Sequence, residues 1–106
     1  MTLLPWLIFV FAALLEVGGD AAIRYGLRGG GAVAIVAGVL VLAAYGVVVN
    51  TVKWDFSRLL GVYVAFFAVI SVLCGRFLFR ETIPPSTWIG LSVVVVGGLI
   101  IQFGRT

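Results

Sequence analysis

Four apolar runs make up most of this 106-residue chain, and each is long enough to cross a bilayer. A helix of about 20 apolar residues spans a hydrocarbon core of about 30 Å. Hydrophobic residues make up 63% of the chain and charged residues only 10%, whereas typical soluble domains carry about 25% charged residues. Backbone polar groups must be satisfied within the bilayer, so the runs should be helical. The sequence predicts an all-α membrane protein with four transmembrane helices.

Short segments rich in glycine, proline or charge separate these runs. The predicted helices cover about residues 3–23, 31–49, 59–79 and 87–103, joined by short loops. Ser86 is the predicted N-cap of the fourth helix, because its hydroxyl can accept a hydrogen bond from an unpaired backbone N–H. We expect residues 1–106 to form a single four-helix transmembrane domain. The first run lacks a basic segment before it, so we expect a retained helix and not a cleaved signal.

Composition excludes several classes of function. The chain has no histidine and one cysteine, Cys74, which excludes an intrachain disulfide and the usual Cys/His metal site. Four spans leave no room for a nucleotide-binding domain, so ATP-driven transport by this chain alone is excluded. The basic residues are too scattered for a nucleic-acid patch. We expect no enzymatic activity, no metal and no cofactor.

Glu16 lies near the middle of the first apolar run, which extends from Leu3 to Ile23. A charge at the centre of a membrane helix costs roughly 3 kcal/mol on translocon-insertion scales. Ionisable residues kept at that depth usually serve ion, proton or substrate traffic. The alternative is a polar residue that only holds helices together. We predict that Glu16 binds protons and substrate.

The neighbours of Glu16 on the first helix are small or charged. Ala13 and Gly19 share its stripe at i, i+3 spacing and allow another helix to approach closely. Asp20 follows one turn later and is a second candidate for proton or substrate binding. It can pair with Arg24 at i, i+4 spacing, titrate together with Glu16, or remain a solvated residue at the helix end.

The third helix places Tyr63, Phe67, Ile70 and Cys74 on one face. Aromatic residues at this spacing more often pack than bind ligands. Beside a buried carboxylate they become candidates for cation–π contact with an organic cation. Tyr63 also carries a hydroxyl that could hydrogen-bond to Glu16. We therefore include Tyr63 and Phe67 in the predicted binding site.

Gly90 and Gly97 are seven residues apart, so they lie on one face of the fourth helix and allow close approach of a second helix. We predict that they form a dimer interface; the alternative is packing within one subunit. A second stripe of small residues, Gly31, Ala34 and Gly38, lies on the second helix. Four helices alone leave little room for a cavity, which also favours a dimer.

Seven basic residues lie in the loops, in the terminal segments or near the ends of the predicted spans. They are Lys53, Arg58 and Arg105 on the side of both termini, and Arg24, Arg28, Arg76 and Arg80 on the other side. Because the basic residues are nearly balanced between the two sides, the positive-inside rule predicts almost no preference for one orientation. We expect insertion in both orientations; the alternative is one orientation fixed by lipids or a partner.

Several of these features together resemble the small multidrug resistance (SMR) family of the drug/metabolite transporter superfamily. They are the four short spans, the segment Leu15-Glu16-Val17 followed by Gly19 and Arg24, and the Gly90 and Gly97 pair. The resemblance implies a homodimer of antiparallel subunits. It also implies that Glu16 binds protons and substrate in alternation, and that Tyr63 occupies the position of a tryptophan lining the site.

The chain departs from that family's pattern at several positions. Leu60 stands where drug-exporting members have a binding-site tyrosine, and Asp20 stands where members usually have a small or hydroxyl residue. The segments 45–48 and 56–58 are closer to a divergent branch of four-helix relatives.

The resulting expectation is a multi-pass inner-membrane transporter that exports small cationic or amphipathic compounds in exchange for protons. Its partners would be a second copy of itself, protons, the substrate and the lipid bilayer. The alternatives are a flippase-like or accessory subunit for a lipid-linked molecule, where Arg76 or Arg80 meets a phosphate, and a structural membrane subunit.

Overall fold

The computed structural model describes residues 3–104 and confirms the all-helical class. The helices are α1 (Leu4–Tyr25), α2 (Ala32–Val49), α3 (Phe56–Phe77) and α4 (Pro85–Phe103). All four are long and apolar enough to cross a membrane, and residues 3–104 contain no strand.

The helices are grouped into two compact units, residues 1–52 and residues 53–106. α1 and α2 form the first helical hairpin, and α3 and α4 form the second. The single domain expected for residues 1–106 stays a prediction.

In the first hairpin, α1 and α2 approach to backbone contact. A Cβ atom added to Gly38 would lie 2.7 Å from the carbonyl oxygen of Gly19, and one added to Gly19 would lie 3.0 Å from the carbonyl oxygen of Gly38. Small residues are what allow membrane helices to come this close. Both glycines belong to the small-residue stripes that the sequence predicts on these helices, and the structure pairs them.

The turn between α1 and α2 also depends on glycine. The segment Gly26–Gly30 follows α1 and departs from helical geometry at Arg28 and Gly29, and the N–H of Gly31 donates to the carbonyl of Gly26 at 3.3 Å. Gly29 and Gly31 have φ angles of 109° and 99°, which only glycine adopts without strain. α1 itself ends at Tyr25, two residues beyond its predicted end.

The second hairpin is joined by side chains. A Cβ atom added to Gly98 would lie 3.0 Å from the Cβ of Ala65, and one added to Gly61 would lie 2.7 Å from the Cδ1 of Ile101. Where α3 begins and α4 ends, Arg58 donates from Nε and Nη2 to Oε1 of Gln102 at 3.1 and 2.9 Å. Packing and a polar bridge together hold this pair.

Two helix starts differ from the prediction. α3 begins at Phe56, three residues early, which brings Arg58 into its first turn. α4 begins at Pro85, with Pro84 as the N-cap and no side-chain capping bond, so the assignment of Ser86 as the N-cap is wrong. The fixed φ of proline suits the first helical position, where no N–H is needed.

Candidate proton and substrate site

Glu16 lies near the middle of its helix in the structure, as in the sequence. At 1.5 Å per residue it is about 18 Å along the axis from Leu4 and about 14 Å from Tyr25. A helix of 22 residues that crosses the bilayer therefore holds this carboxyl group far from both surfaces.

Glu16 also lies at the centre of the packed face of α1. Four residues of this helix are buried, namely Phe9, Ala12, Ala13 and Gly19. At 100° per residue, all four fall within about 60° on either side of Glu16. Glu16 itself is half-buried, whereas Leu7 and Leu14 on the opposite face are exposed. The carboxyl group therefore belongs to the face that packs and not to the face that meets lipid.

Asp20 differs from Glu16 in its surroundings. It lies one turn further along α1 and is exposed, as is Arg24 one turn beyond it. Within residues 3–104, no ion pair joins Asp20 to Arg24. Of the two acidic residues on α1, only Glu16 is partly enclosed.

Tyr63 and Phe67 lie one turn apart on α3. Tyr63 is only 3% exposed and is flanked by the buried residues Leu59 and Val62. Phe67 is half-buried. Both aromatic residues are therefore shielded to different degrees, and they share one face of α3 at the spacing that the sequence indicates.

The glycines of α4 lie on two different faces of the helix. Gly98 is buried and packs on α3. Gly90 and Gly97 lie on another face, where an added Cβ would meet nothing within 4 Å. Gly97 and Gly98 point about 100° apart. The predicted dimer glycines are thus open, and the adjacent glycine supplies the packing within the hairpin.

One polar cluster in the second hairpin is not among the sites predicted from the sequence. The Arg58 guanidinium carbon lies 3.7 Å from the centroid of the Trp54 ring, and the same group donates twice to Gln102. We call Trp54, Arg58 and Gln102 the Arg58 cluster. Two features of the sequence could have indicated this cluster. Trp54 and Arg58 are spaced i, i+4, and a glutamine lies at the end of an apolar helix.

In the part of the chain from Leu3 to Gly104, no three His, Cys, Asp or Glu side chains are grouped so that they could hold a metal ion.

Comparison with known proteins identifies the family to which this chain belongs. Residues 2–106 match the family described as "Uncharacterised BCR, YnfA/UPF0060 family". The chain is 31% identical to the UPF0060 membrane protein YfjF of Bacillus subtilis over 97% of this chain and 96% of that one. It is 30% identical to the UPF0060 membrane protein sll0793 of Synechocystis over 99% and 98% of the two chains.

A third relative is a UPF0060 membrane protein of Staphylococcus carnosus, 34% identical over 92% of each chain. No solved structure matches this chain. The match covers all four helices, and the relatives are named as membrane proteins. The chain therefore belongs to the YnfA/UPF0060 family of membrane proteins, within the SMR-like group of the drug/metabolite transporters.

Proposed function

We propose that this protein is a proton-coupled secondary transporter that exports small cationic or amphipathic compounds across the inner membrane. The observation that carries the proposal is the half-buried Glu16 at the centre of the packed face of α1, midway along a membrane-spanning helix. A structural role alone would not require an ionisable group at a cost of roughly 3 kcal/mol. The membership in an SMR-like family of membrane proteins supports the same function.

Exchange follows from the chemistry of one carboxyl group. Ionised Glu16 attracts an organic cation, and protonated Glu16 releases it, so proton and substrate compete for the same site. Tyr63 and Phe67 would offer aromatic faces to the cation. Asp20, which is exposed nearer the end of the helix, would pass protons towards the membrane surface. No ATP is needed, because the proton gradient drives the exchange.

A homodimer of antiparallel subunits completes the proposal. The open faces of Gly90 and Gly97 support it, because a second helix could approach there without displacing the contact between Gly98 and α3. The Gly97→Leu variant should lower the dimer fraction measured by cross-linking in membranes. The matched control is Gly46→Leu, which adds the same side chain to an open position on α2. An unchanged dimer in Gly97→Leu would contradict this interface.

Dual orientation would supply both halves of such a dimer from one gene product. Reporters active on opposite sides of the membrane, fused in turn to the C-terminus, should both give signal. Signal from only one reporter would contradict this part of the proposal.

The test of the function is proton release on binding. Detergent-purified protein in weak buffer should release protons when tetraphenylphosphonium, a permanent cation, is added. Glu16→Gln keeps the shape of the side chain but cannot ionise, so this variant should show no proton release above that of a protein-free sample. Glu81→Gln is the control, because Glu81 is exposed and lies outside the helices.

The alternative functions give other results in the same experiment. No release by the wild type, with a co-purified polyprenyl lipid, would favour the flippase-like subunit. No release and no bound lipid would favour a structural subunit. Equal release by wild type and Glu16→Gln would remove Glu16 from the mechanism.

A further inference from the structure

We propose that the Arg58 cluster is a headgroup site for an anionic phospholipid at one membrane boundary. Its three side chains come from the loop before α3, the first turn of α3 and the last turn of α4, and all three are half-buried. The proposal does not depend on the transport function.

The guanidinium of Arg58 is held in position before any ligand binds. Trp54 stacks on it at 3.7 Å, and Gln102 accepts from two of its N–H groups. A guanidinium has five such donors in a planar fork, and its geometry matches a phosphate. An arginine that only needed water would extend towards the surface and require neither partner. The fixed plane therefore suits recognition of an oxyanion.

The charge balance of the cluster also favours an anion. Gln102 contributes a dipole and no charge, so its hydrogen bonds leave the cluster cationic. Lys53, exposed and adjacent to Trp54, adds a second positive charge. Counting Asp55 against Lys53 and Arg58, residues 53–58 carry a formal net charge of +1. A basic residue near an anionic membrane surface contributes about 1 kcal/mol of attraction. We assign this contribution to the half-buried Arg58, because salt screens the charge of the exposed Lys53 more strongly.

The surroundings of the cluster indicate a lipid as the source of the phosphate. Phe56 and Phe103 flank it in sequence and are 72% and 70% exposed. They begin α3 and end α4, so both mark the edge of the apolar span. A phospholipid can place its phosphate on Arg58 and its acyl chains along these rings, which a free phosphate cannot do.

Trp54 supplies the probe for the test. In a Trp6→Phe, Trp88→Phe background, its fluorescence is quenched by lipids brominated on the acyl chain near the headgroup. We compare brominated phosphatidylglycerol with brominated phosphatidylcholine, each at the same fraction in otherwise identical vesicles. The expected result is about a fivefold preference for phosphatidylglycerol, which corresponds to about 1 kcal/mol for one basic residue.

Three variants test which side chains cause the preference for phosphatidylglycerol. Arg58→Gln should abolish it, and Gln102→Glu should abolish it as well, because a carboxylate then neutralises Arg58 while the bridge is kept. Lys53→Gln should leave most of it. Gln102→Glu keeps the test informative if Arg58→Gln fails to fold.

Several results would overturn the proposal. They are equal quenching by the two lipids in wild type, a preference that survives both Arg58→Gln and Gln102→Glu, and a preference that Lys53→Gln alone removes. Loss of the preference on adding millimolar inorganic phosphate would assign the site to a free anion and would also overturn it.

Discussion

The two helical hairpins are held together in different ways. In the first, Gly19 and Gly38 bring the backbones of α1 and α2 into contact. In the second, Gly98 meets the side chain of Ala65, and Arg58 is hydrogen-bonded to Gln102. Lipid tails are as apolar as the helices, so close packing and hydrogen bonds must drive association in a bilayer. In the hairpin that carries Glu16 the two backbones are in contact, whereas the hairpin that carries the aromatic residues combines side-chain packing with a hydrogen-bonded bridge.

This difference predicts that the first hairpin is the less tolerant of an added methyl group. In Gly38→Ala the new Cβ would meet Ile23 Cγ1 at 2.6 Å and the backbone oxygen of Gly19 at 2.7 Å. A backbone atom cannot rotate away, so the helices must separate. We expect a loss of about 1–3 kcal/mol in the free energy of unfolding, the usual cost of overpacking.

The measurement is unfolding by sodium dodecyl sulfate in mixed micelles, followed by circular dichroism. Gly46→Ala is the matched control, because it lies on the same helix and its Cβ would have nothing within 4 Å. It should change the free energy of unfolding by less than about 0.5 kcal/mol. Equal effects of the two substitutions would break the contrast between the hairpins.

In the second hairpin, Gly98→Ala should cost less than Gly38→Ala. Its Cβ would lie 3.0 Å from the Cβ of Ala65 and 4.0 Å from the nearest backbone oxygen, that of Val62. A shift of a few tenths of an ångström relieves this contact. We expect a loss of about 1 kcal/mol, near the average for point substitutions, in the same unfolding assay. A loss as large as that of Gly38→Ala would show that direct backbone contact limits the approach of the helices in both hairpins.

The polar bridge should contribute least. A double-mutant cycle with Arg58→Leu and Gln102→Leu isolates the coupling between the two side chains. We expect about 0.6 kcal/mol, the average for hydrogen bonds between membrane helices, and no more than about 1.7 kcal/mol. A coupling of zero in the unfolding assay would leave the second hairpin to side-chain packing alone.

The sequence was sufficient for the number, type and approximate position of the helices, because long apolar runs in lipid have no other stable backbone structure. The helix starts were less accurate. α4 begins at Pro85, whereas the sequence predicts Ser86 as the N-cap. Serine and proline both favour a helix start, and here the two residues are adjacent, so the sequence alone does not decide between them. The small-residue stripes on α1 and α2 were visible, but their pairing depends on how the Gly26–Gly30 turn aligns the two helices.

The Arg58 cluster could not be predicted from local patterns. Arg58 and Gln102 are 44 residues apart, and their contact depends on α3 beginning at Phe56, early enough to place Arg58 opposite the end of α4. Glu16 was found from the sequence because a lone carboxylate in an apolar run is conspicuous. Its position at the centre of the packed face is seen only in the structure, which shows which neighbouring residues on α1 are buried.

The central claim is that Glu16 alternates between a proton and a cation. Its most direct test is uptake of tetraphenylphosphonium into proteoliposomes against an imposed pH gradient, with wild type, Glu16→Gln and Glu81→Gln compared. The account predicts pH-driven accumulation by wild type and Glu81→Gln, and none above protein-free vesicles by Glu16→Gln. Accumulation by Glu16→Gln at the wild-type rate, or none by folded wild type, would contradict it.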